Sequence, residues 1–339
     1  MTATLSILRG GPLMTVQDMG RPGRMAVGLS PGGAMDRLAL LEGAALMGLP
    51  QPVAAIEMAG LGGSFRVDAP VRFALTGAPM TARRDDTALR WHASHVLQPD
   101  QTLTLGGAQA GTYGYLTPAS GIAEDCLLGS AAAHLSAGLG RLLQAGDVVA
   151  LGTDPAPDRP PQVLTADARF SGGTLRLMPG PQTALFDDDT LARLAATPFH
   201  RSARANRTGL PLTSDGLGFA TRATASPISD FIVAGDLQIT GDGSPFLMLA
   251  ECQTIGGYPR IGTVIAADLP RAAQAAPTDP LRFAWLTTEA ADTLFQTDAQ
   301  VLAALRGRVH PQVRDPADVP DLLSHQLIGG VTAGRDEET

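Results

Sequence analysis

The sequence predicts a mostly β protein built from many short strands and tight turns. Two features lead to that class. Glycine (39) and proline (26) are both abundant in 339 residues, which favours short elements joined by turns over long helices. Alternation of apolar with polar residues recurs in both halves of the chain, as expected of half-buried strands. Hydrophobic residues make up 44% and aromatic residues only 4%, so Ala, Leu and Val must fill the core.

The chain opens with a short strand pattern, Leu5 to Leu8, followed by a turn-rich loop from Gly10 to Gly33. Asp36 is placed to cap a helix from Arg37 to Met47, and Gly48 with Pro50 is placed to stop it. Strand patterns follow at Phe65–Val67, Val71–Leu75, Leu103–Leu105, Tyr113–Leu116 and Val148–Leu151. The proline-rich stretch Thr153 to Pro161 reads as a linker, because proline cannot pair in a sheet interior. It divides the chain into 1–160, 161–310 and a tail, 311–339, with frayed ends expected at Gly334–Thr339. Further strands are expected at Leu175–Leu177, Phe231–Val233, Leu237–Ile239, Phe246–Leu249, Thr263–Ile265 and Leu281–Leu286. One helix is expected over Thr288–Leu305, with Ala291, Leu294, Phe295, Leu302 and Leu305 turned inward.

Composition also excludes function classes. The net charge is −8 and no basic run exists, so nucleic acid and anionic membrane are poor partners. Cys126 and Cys252 have neither close spacing nor a secretory context, which fits a reducing cytoplasm. No window approaches the roughly 20 apolar residues of a membrane span. The chain contains no lysine, which rules out a Schiff-base lysine, a lysine-bearing phosphate loop and a biotinylated lysine.

Three polar turns stand out. Gln17-Asp18-Met19-Gly20-Arg21 leads through glycines into the helix at Asp36, either as an anion cradle or as a loop whose glycines serve the backbone alone. Asn206-Arg207-Thr208-Gly209 offers a guanidinium fork for a carboxylate or phosphate, or a solvated arginine. Glu251 to Arg260 joins two apolar strands and carries Gln253, Tyr258 and Arg260, an amide, a phenol and a cation. The alternative there is a tight hairpin with Gly256 and Gly257 at positive φ. His92-x-x-His95 lacks accompanying carboxylates or cysteines, so it reads as a surface or strand-end pair and no metal is expected. Asp187 to Asp189 reads as the N-cap region of a short helix, Thr190 to Ala196. The histidines fall outside these loops, so no nucleophile–base pair is legible.

These motifs in this order resemble one family, that of the C-type subunit of 5-oxoprolinase, also known as allophanate hydrolase subunit 2, KipA-type or biotin-dependent carboxyltransferase. The resemblance is carried by Thr15 to Asp18, Gly20-Arg21, Gly33 to Asp36, Glu57, Leu75 to Gly77, Tyr115-Leu116 and Leu128 to Ser130. It continues through Gly140 to Leu142, Pro179 to Pro181, Asn206-Arg207, Gly209, Gln238, Gln253-Thr254 and Gly256 to Arg260. Departures are Glu251 in place of an aspartate, Ile255 in place of a second threonine, and Ala131 to Ala133 in place of a polar run. The resemblance implies two cyclophilin-like β-barrel domains with a few short helices.

It also implies a cytoplasmic component of an ATP-dependent hydrolase that opens 5-oxo-L-proline to L-glutamate with B-type (KipI-like) and A-type subunits. ATP is then used through the complex. The alternatives are a urea or allophanate-type carboxyltransferase using carboxybiotin, and a non-catalytic KipA-type regulatory subunit. Under the first reading Gln253 and Tyr258 orient a small amide substrate, and Arg260, the third catalytic residue, holds a carboxylate or phosphate together with Arg207. Asn206, Arg207, Gln17, Asp18 and Arg21 bind substrate or anion.

Overall fold

The computed structural model describes residues 3–221 and 229–312. The expected tail over 311–339 therefore lies, beyond residue 312, outside the described residues. The protein is mostly β, with curled sheets and few helices.

Two sheets form the first half. One runs, in spatial order, Val148–Ala150, Thr4–Arg9, Ser64–Val67, Leu103–Ala108, Met80–Arg84 and Thr87–Ala88. The other runs Met14–Gln17, Ala55–Ala59, Tyr113–Pro118, Val71–Gly77, Ala93–Leu97, Gln162–Leu164 and Val309–Pro311. Alternation makes the first sheet one-sided: Leu5 and Ile7 point inward, as do Leu103 and Leu105. They meet Met14, Val16, Ile56, Leu75 and Leu116 of the second sheet in one core. Each such side chain contributes about 1.5–3 kcal/mol through burial.

The second sheet is buried on both faces, because the helix Arg37–Met47 covers its other side. Asp36 caps the helix by accepting from Ala39 N at 3.1 Å, and Gly48 ends it at φ +73°. Gly43 sets how closely it packs, since a Cβ there would lie 2.8 Å from Thr117 Oγ1.

The third sheet holds His200–Arg201, Gly209–Thr213, Pro245–Met248, Asp236–Ile239, Arg260–Val264, Gly173–Met178 and Leu281–Trp285. Its core is continuous with Ala34, Met35, Leu40, Tyr113 and Tyr115 of the first half, so the two halves share apolar packing.

The structure differs from the sequence reading at four places. Met14–Gln17 is a fully buried strand inside the stretch expected to be loop. The helix expected over 288–305 is two helices, Thr288–Leu294 and Asp298–Arg306. Thr297 starts the second with a capping box to Gln300, and Leu294 and Phe295 are exposed as a result. Phe231–Val233 shrinks to Asp230–Phe231, which pairs with Ile255–Gly256. Gly256 and Gly257 are not at positive φ. Gly256 instead packs closely: a Cβ would lie 2.3 Å from Ile232 Cδ1, so that side chain would have to shift.

A buried charge network clamps the halves together. Arg169 donates to Asp36 at 2.8 Å, to both oxygens of Glu42, and to Asp167. Gln274 donates to Asp36 at 2.7 Å and accepts from the backbone of Thr112 and Tyr113. Among the described residues, no helix is long and apolar enough to cross a membrane.

Candidate functional site

A dense polar cluster lies where the first-half loops 17–36 and 127–136 meet the second-half turns at Asn206–Gly209 and Ala250–Glu251. Asp18 builds the first-half side. Its Oδ1 accepts from Gly20 N at 2.7 Å and from Ser130 Oγ at 2.6 Å, and its Oδ2 accepts from Ala131 N at 2.8 Å. Gly33, at φ +82°, lets the chain fold back on itself: a Cβ there would sit 2.7 Å from Gly20 N. Gly32 N then reaches across to Ala250 O at 3.1 Å.

Arg207 joins the halves. Its Nε donates to Glu251 at 2.5 Å, its Nη1 to Glu57, and its Nη2 to Gly33 O at 2.5 Å. Asn206 shapes the turn beneath it, accepting from Thr208 N at 2.8 Å and Gly209 N at 3.2 Å. Burial works against the charge on Arg207, but Glu57 and Glu251 more than offset it and hold the guanidinium more basic than usual. Glu57 also accepts from Tyr115 Oη at 2.6 Å and Met35 N at 2.8 Å. Burial raises the phenols of Tyr115 and Tyr113, the latter to about 12.

Arg21 is 1% exposed. It donates to the carbonyls of Leu127, Ser130 and Ala132, yet its Nη1 has no partner among the described residues. Burial lowers its pKa, opposed by Asp18 and Glu251. Gln17 donates to Thr15 Oγ1 at 3.0 Å and Ala133 O at 3.1 Å and leaves its Oε1 unpartnered among the described residues. Two buried groups with unused hydrogen-bonding capacity thus border one segment, 130–133. Val27, Leu127, Leu128 and Leu135 give this region an exposed apolar surface.

The structure therefore brings Gln17, Asp18, Arg21, Asn206 and Arg207 to one junction. Gln253 lies two residues beyond Glu251 and is exposed, and Tyr258 is 51% exposed. Arg260 sits in a different cluster, bonded to Asp230, Asp236 and Phe231 O. Cys252 is buried beside Ile232 and Met248, and desolvation pushes its thiol up to about 12, so it is not an activated nucleophile. Among the described residues, no group of three or more His, Cys, Asp or Glu is arranged to hold a metal.

Sequence reasoning missed Ser30, Ser136 and His134. His134 joins Ser30 Oγ at 2.9 Å through Nε2 and Ser136 Oγ at 3.1 Å through Nδ1. No local spacing signals this pair.

Comparison with known proteins agrees with this architecture. The chain is 32% identical to the C-type subunit of 5-oxoprolinase from Escherichia coli K12 over 312 residues, covering 90% of this chain and 99% of that one. It is 29% identical to the Haemophilus influenzae C-type subunit of 5-oxoprolinase over 310 residues, covering 86% and 94%. The crystal structure of Kluyveromyces lactis urea amidolyase superposes with a TM-score of 0.79 at 20% identity, over 93% of this chain but 21% of that larger one. Residues 27–285 match the family model described as carboxyltransferase domain, subdomain A and B, and the chain belongs to that family.

Proposed function

We propose that this chain is the C-type subunit of an ATP-dependent amidohydrolase that opens 5-oxo-L-proline to L-glutamate with B-type and A-type subunits. The observation that carries the reading is the end-to-end correspondence with a C-type 5-oxoprolinase subunit, 99% of whose length is covered. Two unused buried groups have the polarity that a planar amide needs. Arg21 Nη1 offers an unused donor and Gln17 Oε1 an unused acceptor, which match the C=O and N–H of a lactam. Arg207 has all three nitrogens engaged, so its part is to hold Glu57 and Glu251 in place. Gln253 and Tyr258 present an amide and a phenol from the exposed rim, and Arg260 fixes the strand that follows.

The residues present do not fit an ATP cradle: the chain has no lysine and no phosphate loop. Nucleotide handling is therefore assigned to the partner subunits, which dock on the apolar surface around Leu127 and Leu135. A stable contact of this kind buries at least about 1,200 Å² in total.

A carboxyltransferase subunit using carboxybiotin is the second reading. It is favoured by the family description and by 23% identity over 325 residues to urea amidolyase of Saccharomyces cerevisiae, of which this chain spans 18%. Co-expression with B-type and A-type subunits, size-exclusion chromatography and an ATP-dependent assay on 5-oxo-L-proline separate the two. The expected result is turnover by the complex alone, unaffected by avidin. Turnover by the single chain, or failure to bind the B-type protein at micromolar concentration, overturns the proposal.

A further inference from the structure

Ser30 and His134 are 104 residues apart in sequence, yet Ser30 Oγ lies 2.9 Å from His134 Nε2. At the other ring nitrogen, His134 Nδ1 is 3.8 Å from Glu251 Oε2, with Ser136 Oγ between them at 3.1 Å and 3.5 Å. Ser30, His134 and Glu251 are 3%, 4% and 5% exposed. A hydroxyl, an imidazole and a carboxylate in this order are the parts of an activated acyl-transfer nucleophile.

One further observation points to a ligand here: Arg21 Nη1 is buried and unpartnered among the described residues. Gly32, at φ +62°, packs against both groups, since a Cβ there would stand 3.0 Å from His134 Cδ2 and 3.6 Å from Arg21 Nη1.

We propose that Ser30, His134 and Glu251 form an acyl-transfer relay that opens an amide, with Arg21 Nη1 donating to the oxygen that becomes negative. Ser30 Oγ bonds to the carbonyl carbon while its proton passes to His134 Nε2. The carbonyl π pair moves onto oxygen beside Arg21. As the intermediate collapses the C–N bond breaks, and His134 returns the proton to the departing nitrogen. Water then attacks the Ser30 ester, His134 takes its proton, and Ser30 regains its O–H. Ser136 relays the Nδ1–H toward Glu251, which orients the ring. The charged groups that act on the ring are Glu251, Arg21 and Arg207. Burial, Arg21 and Arg207 favour the neutral ring that a base needs, and Glu251 opposes them.

The natural substrate rests on the amide-opening reading above, whereas the relay itself does not. An activated ester tests it separately. The purified full chain is incubated with p-nitrophenyl acetate and mapped by mass spectrometry. We expect an acetyl adduct on the peptide carrying Ser30, lost in Ser30→Ala and formed at least tenfold more slowly in His134→Gln and Gly32→Ala. Circular dichroism establishes that each variant is folded. The adduct rate should rise with pH and level off once His134 is neutral. No adduct at Ser30 in the folded wild type, or an equal rate in folded His134→Gln, overturns the relay even if the complex proves to be a 5-oxoprolinase. An adduct at Ser30 alongside a complex inactive on 5-oxo-L-proline leaves the relay standing and rejects only the substrate.

Discussion

Arg169 forks onto Glu42, Nη1 to Oε1 at 2.7 Å and Nη2 to Oε2 at 2.8 Å, with both side chains 2% exposed. Desolvation raises the pKa of Glu42, and the guanidinium opposes that rise. Removing the cation strands Glu42 and Asp36 together in an apolar setting. Arg169→Met should therefore cost about 3–5 kcal/mol, measured by chemical denaturation. Glu42→Gln keeps a hydrogen-bonding partner and removes one of the clustered negative charges, so its loss should be clearly smaller. Equal losses would mean that packing, not charge, holds the network.

Arg207 should behave as a junction clamp. Arg207→Met leaves Glu57 and Glu251 without their shared cation, and a loss of about 2–3 kcal/mol is expected. A double-mutant cycle with Glu251→Gln should return a coupling of about 1 kcal/mol or more, because the two are in direct contact. Additive effects would show that Arg207 acts through Glu57 and the carbonyl of Gly33 instead.

His92 predicts acid sensitivity. Its pKa is lowered to about 4 by burial, with Arg169 adding to the shift and Asp36 and Asp167 opposing it. A depressed histidine is neutral when folded, so its contribution is intact above the ordinary value near 6.5 and is lost as pH falls toward 4. Over that window the loss approaches about 3 kcal/mol. His92→Asn should flatten the fall in melting temperature between pH 6.5 and 4. His95 is also lowered by burial and will leave a residual slope.

Gly43 should resist substitution despite its helical setting. Alanine favours a helix over glycine by about 1 kcal/mol, but its Cβ would meet Thr117 Oγ1 at 2.8 Å. Overpacking of about 1–3 kcal/mol is expected to win, giving a lower melting temperature for Gly43→Ala. Pairing it with Thr117→Ala should restore most of the loss.

Much of the fold was legible locally. Asp36 and Gly48 marked the ends of the helix Arg37–Met47, and alternation marked most strands. Met14–Gln17 was not: its Met-Thr-Val-Gln alternation is only four residues long and sits in a glycine- and proline-rich stretch that reads as loop. The break at Phe295 was written in Thr297-x-x-Gln300, a capping signature overlooked in favour of apolar spacing. At the junction, Asp18, Arg21 and Arg207 announced themselves as polar residues among glycines. Ser30 and His134 did not, since each is ordinary beside its own neighbours. Their meaning arises only when segments a hundred residues apart are brought together, as with Arg169 and Asp36.

The strand Val309–Pro311 completes a sheet begun by the first half, pairing with Gln162–Leu164, while Leu302 and Leu305 pack with Leu41 and Leu46 of the first helix. On the ribosome, the early half is left with an unpaired sheet edge and a bare helix face until the far end of the described chain emerges. At roughly 5–20 residues per second, the stretch from 165 to 308 takes on the order of 10–30 s to make. For that interval the edge at Gln162–Leu164 is open to pairing with another nascent copy. Maturation of the first half is therefore timed by synthesis of the second, and truncation before residue 309 should yield aggregation rather than a stable fragment.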